Sequence, residues 1–168
     1  MKIDVLRLFG LFFLLLVLQL LIFNNLQING FINPYVYIIF IVLFPIRIKR
    51  VFHLLLSFLL GICIDLFSFT YGIHAFASVL IAYLRMPFLT LFFYRAQEDL
   101  KEITVNSLGI SKFIVYSFIL IIIHHIVLFQ MEAFTFYGFF ITAFKAIISS
   151  FFTLILFLIY QFIIVKKK

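Results

Sequence analysis

The chain alternates between long apolar runs and short polar stretches. The runs lie at about residues 5–23, 31–45, 51–69, 73–93, 113–130 and 139–165. A helix needs about 20 apolar residues to cross a hydrocarbon core of about 30 Å. The runs lack the alternation of a membrane barrel strand, so their backbone groups must be satisfied within helices. The pattern predicts an all-α polytopic membrane protein with six transmembrane helices.

The second run is shorter than the others. Pro34 and Pro45 bound it, and the residues between them are too few for a straight helical crossing. Two interpretations are open: the run recruits residues on both sides and crosses fully, or it enters the membrane only partway. The positions of the basic residues distinguish between the two.

The basic residues fall on one side of the predicted membrane domain. Lys and Arg in short loops mark the cytoplasmic side. If every run crosses once, 11 of the 13 basic residues share one side, two lie within spans and none lies opposite. The 11 are Lys2, Arg7, Arg47, Lys49, Arg50, Arg95, Lys101, Lys112, Lys166, Lys167 and Lys168. A second run that entered only partway would break this partition, so six full crossings with both termini in the cytoplasm are favoured.

Composition agrees with one transmembrane domain that occupies residues 1–168. Hydrophobic residues make up 67% and charged residues 11% of the sequence, which leaves too few polar side chains to cover a soluble fold. The net charge of +7 follows from basic loops that face anionic lipid headgroups. Nucleic-acid binding is disfavoured, because the charges are scattered over loops without a folded domain to organise them.

Three ionisable side chains lie within the predicted spans. Asp65 and Lys145 lie near the outer ends of the third and sixth spans, and Arg85 lies in the inner half of the fourth. Charges inside a membrane generally pair. Asp65 with Lys145, at similar depth, is one predicted pair; Asp65 with Arg85 is the alternative, across roughly 10 Å of depth. Packing or snorkelling without chemistry is the simpler interpretation of all three.

Glycine and proline near these charges predict local geometry. Gly61 precedes Asp65 by one helical turn, so both share a face on which the glycine lets a neighbouring helix approach closely. Gly72 lies in the turn after the third span and suits a positive φ. Pro87 follows Arg85 by two residues and is expected to kink or loosen the fourth span near its inner end.

The remaining polar residues do not form a recognisable catalytic or metal site. His124 and His125 are adjacent in the fifth span, point about 100° apart and are not expected to face one site. No ligands at metal spacing accompany them, so neutral histidines hydrogen-bonded between helices are expected. Ser149 and Ser150 are interpreted as small residues at a helix contact. We expect no catalytic residue, no metal and no cofactor.

Three stretches carry ordered polar landmarks among the apolar residues. They are NPYVYIIFIVLFP (33–45), GICIDLFSFTYGIHAFAS (61–78) and AYLRMP (82–87). Their landmarks are Asn33, Pro34, Asp65, Thr70, Gly72, His74, Tyr83 and Arg85. With these stretches, the chain resembles the Bacteroidota-type form of the MreD family, whose members are small membrane subunits of the rod-shape system. Its length, its number of spans and its basic C-terminal tail also agree with that family. It departs from the family at Met86, which separates the arginine from the proline and leaves the kink position open.

The resemblance implies a non-enzymatic component of the bacterial inner membrane. Such a subunit associates with the bitopic periplasmic scaffold MreC and, through it, with the MreB filament, RodA and its transpeptidase. The resemblance also implies a fold similar to the substrate-binding subunits of energy-coupling-factor (ECF) transporters. With the charge analysis, it gives these candidate structural or interaction residues: Asn33, Pro34, Gly61, Asp65, Gly72, His74, Tyr83, Arg85 and Lys145.

The expected function is an interaction protein that supports peptidoglycan synthesis during cell elongation, and two alternatives accompany it. A vitamin-type carrier subunit would have an outward-facing pocket. Such subunits usually dock through a small-xxx-small pattern in the first span, and FGLFFLLLVLQLLIF (9–23) lacks one. A membrane enzyme for a lipid-linked intermediate would need acids, bases or metal ligands converging at one membrane face, and Asp65 alone does not make such a site.

Overall fold

The structure, a computed structural model, describes residues 5–26, 32–93 and 102–165. Its helices are α1 (Val5–Leu21), α2 (Ile38–Leu43), α3 (Arg50–Ser68), α4 (Ile73–Phe93), α5 (Val105–Leu108), α6 (Ile110–Ala133) and α7 (Phe139–Val165). A 3₁₀ turn at Phe23–Asn25 follows α1. Both termini lie outside the described residues, and so do the basic residues Lys2, Arg95, Lys101, Lys166, Lys167 and Lys168.

Five of these helices have the length and apolarity to cross a membrane: α1, α3, α4, α6 and α7. Their ends agree with the predicted spans to within three residues; the span predicted at 73–93, for example, is the helix Ile73–Phe93. The prediction of an all-α, multi-pass membrane protein is confirmed to this extent. The helix α4 continues past Pro87, which lies inside it near its C-terminal end.

The second run does not form the long helix predicted for it. Only Ile38–Leu43 is helical, and irregular backbone precedes it. Pro34 has no N–H to contribute to a helix, and a residue that precedes proline avoids the helical region. Phe44, directly before Pro45, accordingly has a ψ of 135°. The two prolines thus confine the helix to six residues, and the flanking backbone needs other hydrogen-bond partners.

The same run forms the core of the molecule. We call residues 33–44 the central segment. Five of its side chains have no exposed surface: Tyr37, Ile38, Phe40, Ile41 and Val42. Helices α1, α4 and α6 pack against α2, and the ring of Phe12 on α1 meets that of Phe40 edge to face at 5.4 Å. An element enclosed by protein is apolar on every face, which explains why this run reads like a membrane span.

The long helices pack around the central segment in the order α1, α3, α4, α6, α7. Within the described residues, the bundle has two chemically different ends. One contains the 3₁₀ turn and the turns 69–72 and 134–138, none of which includes Lys or Arg; we call it the cation-free end. The other contains Arg47 and Lys49 after α2, and we call it the basic end. The charge partition predicts that the cation-free end faces outside.

Candidate functional site

The irregular backbone of the central segment obtains its hydrogen bonds from side chains on neighbouring helices. Gln19 of α1 accepts from the N–H of Val36 at 2.8 Å and donates to the carbonyl of Pro34 at 3.4 Å. The Gln19 side chain is fully buried. Non-helical backbone at membrane depth is tolerated only where protein or a cavity satisfies it, and Gln19 supplies both a donor and an acceptor.

Helix α7 satisfies the same stretch from another direction. The N–H of Asn33 donates to Ser149 Oγ and the N–H of Tyr35 donates to Thr153 Oγ1, each at 3.1 Å. Pro34, between them, has no N–H to satisfy. Ser149, expected to act as a small residue at a helix contact, therefore also serves as a hydrogen-bond acceptor for the central segment.

Two histidines and two tyrosines fill the centre of the bundle. The Tyr37 hydroxyl and His124 Nε2 are 2.7 Å apart, and Thr153 Oγ1 and His125 Nε2 are 3.2 Å apart. The predicted hydrogen bond between helices is confirmed for His125, which contacts Thr153 of α7, whereas the partner of His124 lies in the central segment, before α2. The expectation that the two rings would not share a site is wrong, because both contact Tyr35, with ring centroids at 5.8 and 5.2 Å. Tyr35 belongs to the central segment, and its ring lies where it contacts both histidine rings.

The Asp65 carboxylate holds the start of α4. Its Oδ1 accepts from the Thr70 hydroxyl at 2.6 Å and from the backbone N–H of His74 at 3.0 Å, and its Oδ2 accepts from the N–H of Ala75 at 2.9 Å. His74 Nδ1 lies 3.1 Å from Oδ1. These contacts include neither Lys145 nor Arg85. The partners are local because Asp65 reaches the unsatisfied N–H groups and positive dipole end of the following helix.

Gly61 lets α3 and α4 meet at this point. A Cβ added at Gly61 would lie 2.4 Å from the Cα of Ala75 and 2.7 Å from the carbonyl oxygen of His74. The predicted close approach at Gly61 is therefore confirmed. Gly72, in the turn between the helices, has φ +89°, as predicted. Gly61 lies one helical turn before Asp65. It lets α3 approach the start of α4, and the Asp65 carboxylate then bonds to the backbone of α4 there.

Arg85 and His53 hold the opposite end of the central segment. The buried guanidinium of Arg85 donates to the carbonyl of Phe44 and interacts with the Tyr116 hydroxyl. His53 Nε2 lies 3.0 Å from the carbonyl oxygen of Ile41, and its ring stacks on that of Phe44 at 4.4 Å. The last carbonyls of a helix have no partner within it. Arg85 and His53 supply those partners for α2.

Two of the predicted residues lie away from this centre. The Tyr83 ring is half exposed, and the guanidinium of Arg50 lies 4.3 Å from its centroid. Arg50 also donates to the Tyr83 carbonyl at 3.0 Å. Lys145 is partly exposed on α7. The structure thus places Asn33, Pro34, Gly61, Asp65 and His74 toward the cation-free end, with Gly72 in the adjoining turn, and Arg85 at the opposite end of the central segment.

A cavity of about 630 Å³ opens at the cation-free end. Its polar lining includes Asn24, Asn33, Thr70, His74 and Glu132, and leucines of α1 line another part. Within the described parts of the chain, no three His, Cys, Asp or Glu side chains are grouped as metal ligands. The cavity adjoins the Asp65 cluster, since Thr70 and His74 belong to both.

Sequence reasoning missed several residues of this site, among them Gln19, His53, Glu132 and Thr153. Gln19 had a visible signal, because between Leu8 and Phe23 it is the one side chain capable of hydrogen bonding. His53 and Glu132 stand near span ends, where polar residues are common. Only their tertiary contacts distinguish them from ordinary interfacial residues.

The fold and site define a multi-pass helical membrane protein in which polar side chains secure a broken central segment. Comparison of the chain with family models, curated proteins and solved structures gives no match. The family suggested by the landmark residues therefore enters below as a proposal.

Proposed function

We propose that this chain is a non-enzymatic, MreD-like component of the rod-shape complex in the bacterial inner membrane. It binds an MreC-like periplasmic scaffold and supports peptidoglycan synthesis during elongation. One observation carries the proposal: the first landmark stretch contacts both of the others. Arg85 of the third stretch donates to Phe44 of the first, and the ring of His74 in the second lies 6.1 Å from that of Tyr37 in the first. Residues that together specify a core are a stronger family signal than scattered matches.

The proposed topology has six crossings, with the central segment as the second and the termini in the cytoplasm. An extended residue advances about 3.3 Å, compared with about 1.5 Å in a helix. The segment therefore covers more depth than a helix with the same number of residues, because Phe44 has a ψ of 135° and the residues before the turn at Val36 and Tyr37 are not helical. Asn33, at one end, lines the cavity of the cation-free end, and Arg47 follows the other end. The likeness to ECF substrate-binding subunits belongs to this proposal.

Partner binding is assigned to helix faces within the membrane and to short loops. The described residues form little structure outside the long helices and the central segment. The buried charges Asp65 and Arg85 are used within the chain. We therefore propose that Asp65 and Arg85 shape the surface that the scaffold recognises. The chain associates with MreB, RodA and its transpeptidase indirectly, through the scaffold.

Affinity purification of the tagged full-length chain from native membranes tests the proposal. Mass spectrometry is expected to identify an MreC homologue and a wall synthase. Asp65→Ala should reduce scaffold recovery and disturb rod shape, because the start of α4 loses its acceptors. Asp65→Asn, which retains an acceptor oxygen for the start of α4, is the matched control and should reduce scaffold recovery less. Recovery of neither partner with the unmodified chain would contradict the proposed function.

A vitamin-type carrier subunit is the second candidate, and the cavity at the cation-free end favours it. Its volume is in the range of about 300–1,000 Å³ typical of small-molecule sites. Purification of the chain with a coupling protein and an ATPase pair, in place of the scaffold, would support this candidate and contradict the first.

A further inference from the structure

The cavity at the cation-free end has an apolar wall and a polar wall. Val17, Leu20 and Leu21 of α1 and Phe67 of α3 line the apolar wall. Leu21 and Phe67 are 70% and 69% exposed, so this wall continues onto the outer surface of the bundle. A ligand that uses both walls needs a polar head and an apolar body.

Several donors of the polar wall are already engaged within the protein. Asn24 Nδ2 donates to Ser68 Oγ at 2.8 Å and Asn25 Nδ2 donates to the Leu21 carbonyl at 3.0 Å. The Thr70 hydroxyl donates to Asp65. His74 Nδ1 lies 3.1 Å from Asp65 Oδ1 and 3.0 Å from Thr70 Oγ1, so this side of the His74 ring is also engaged within the protein.

Acceptors remain on the same wall. Asn33 Oδ1 is buried without a hydrogen-bond partner in the described structure. The Glu132 carboxylate also lines the cavity. Buried acceptors without a donor are costly. The cavity therefore favours a ligand head that brings N–H or O–H donors.

The charge of the cavity lining indicates which kind of donor-bearing ligand head it favours. The lining residues include Glu132 and no Lys or Arg, and Asp65 lies directly behind Thr70 and His74. The aromatic ring of Tyr35 also lines the cavity, and aromatic faces attract cations. We propose that this cavity binds an ammonium group carried on an apolar body, with the ammonium beside Asn33 and Glu132 and the body along α1. Such a group has two possible sources, the headgroup of a membrane lipid and a free organic amine.

Equilibrium binding to the full-length chain in neutral maltoside micelles tests this site. Octylammonium and octanol, probes of equal chain length, are titrated and compared at pH 7. Octylammonium is expected to bind more tightly. Glu132→Gln should weaken octylammonium roughly tenfold, the loss expected for one charge-assisted hydrogen bond, and leave octanol unchanged. Glu102→Gln, the same change at the basic end, should alter neither.

A second variant keeps the test independent of Glu132. Leu20→Trp narrows the apolar wall and should weaken both probes while the protein remains folded by circular dichroism. Equal binding of octylammonium and octanol would overturn the proposal, and so would an unchanged octylammonium affinity in Glu132→Gln. Because the readout is binding to the purified chain, such a result leaves the proposed scaffold complex untouched.

Nanodiscs distinguish the two sources. The chain is reconstituted with phosphatidylethanolamine or with phosphatidylglycerol and examined by native mass spectrometry. If the source is a lipid, phosphatidylethanolamine should stay bound to the chain, and Leu20→Trp should release it. Octylammonium should then bind more weakly in phosphatidylethanolamine nanodiscs, because the lipid competes for the cavity. A free amine predicts no retained phosphatidylethanolamine and equal octylammonium binding in both lipids. Preferential retention of phosphatidylglycerol at the cavity would contradict a cationic head.

Discussion

The two helical hairpins at the cation-free end share a backbone design. In α3–α4 and in α6–α7, the first helix ends at a phenylalanine with positive φ, 57° at Phe69 and 48° at Phe134. A glycine with positive φ then precedes the second helix, +89° at Gly72 and +81° at Gly138. Left-handed residues at helix ends are a common way to reverse a chain, and both turns use it.

The hairpins differ in what holds their turns. The α3–α4 turn is fixed by Asp65, whose carboxylate binds side-chain and backbone donors of the following residues. In the α6–α7 turn, the side-chain hydrogen bonds are local and exposed: Gln130 donates to the Thr135 carbonyl at 2.6 Å, and the N–H of Tyr137 donates to Thr135 Oγ1 at 3.1 Å. One turn is therefore anchored to the buried Asp65 carboxylate, and the other is held by its own residues.

The difference gives the α3–α4 turn a second task. Both turns expose large aromatic side chains: Phe69 and Tyr71 at 85% and 96% in one, and Phe134 and Tyr137 at 82% and 94% in the other. Aromatic residues at a bundle end are suited to the membrane interface. The α3–α4 turn also sets the geometry of the cavity, because Thr70 and His74, which line it, contact Asp65. Similar turns thus share an outward aromatic surface, and the α3–α4 turn adds an internal role.

The largest expected effect comes from adding a side chain at the close contact between α3 and α4. Gly61→Val would place side-chain atoms against the backbone of Ala75, which has no rotamer to change. We expect a loss of about 3 kcal/mol or more in the free energy of unfolding in mixed micelles. Gly10→Val is the control, because its added Cβ meets nothing within 4 Å. A Gly61 variant as stable as its control would show that the helices separate without cost.

Removal of the Asp65 carboxylate is the next largest test. Asp65→Ala leaves the buried N–H groups of His74 and Ala75 without acceptors, and we expect a loss of about 2 kcal/mol. Asp65→Asn retains an acceptor oxygen and should lose less. The same unfolding assay measures both. Equal losses would indicate that the negative charge matters more than the acceptors.

Alanine at the two turn glycines compares the hairpins directly. Gly72→Ala and Gly138→Ala each force an L-residue into a positive φ, and each has open space around the added Cβ. Since the backbone cost is the same, we expect a similar loss of about 1 kcal/mol at both, measured by thermal unfolding. A much larger loss at Gly72 would show that the Asp65 contacts amplify strain in their turn.

The smallest expected effect is in the α6–α7 turn. Gln130→Ala removes an exposed hydrogen bond, and we expect a change within about 0.5 kcal/mol, as for most surface substitutions. The unfolding assay used for Asp65→Ala provides the comparison. A loss as large as that of Asp65→Ala would mean that this turn, too, is part of the folded core.

Much of the local geometry was readable from the sequence. The long helices follow from uninterrupted apolar runs, and both Gly61 and Gly72 behave as their positions predicted. The partners of Asp65 were not readable: depth matching suggested Lys145 or Arg85, whereas its acceptor atoms meet the start of the very next helix. Matching depths ignores the unsatisfied N–H groups of a neighbouring helix end, which attract a carboxylate as strongly as a distant cation.

By itself, the sequence determined that the chain belongs in a membrane and where its long helices begin and end. Those properties depend on the length of each apolar run, which can be read from that segment without knowing its neighbours in the fold. Only the tertiary structure decided that the second run is a short helix in the core, held by Gln19, Ser149 and Thr153 at one end and by His53 and Arg85 at the other. A buried segment and a lipid-facing span are equally apolar, because protein interior and lipid both exclude water. What separates them is the set of neighbours that satisfies the backbone.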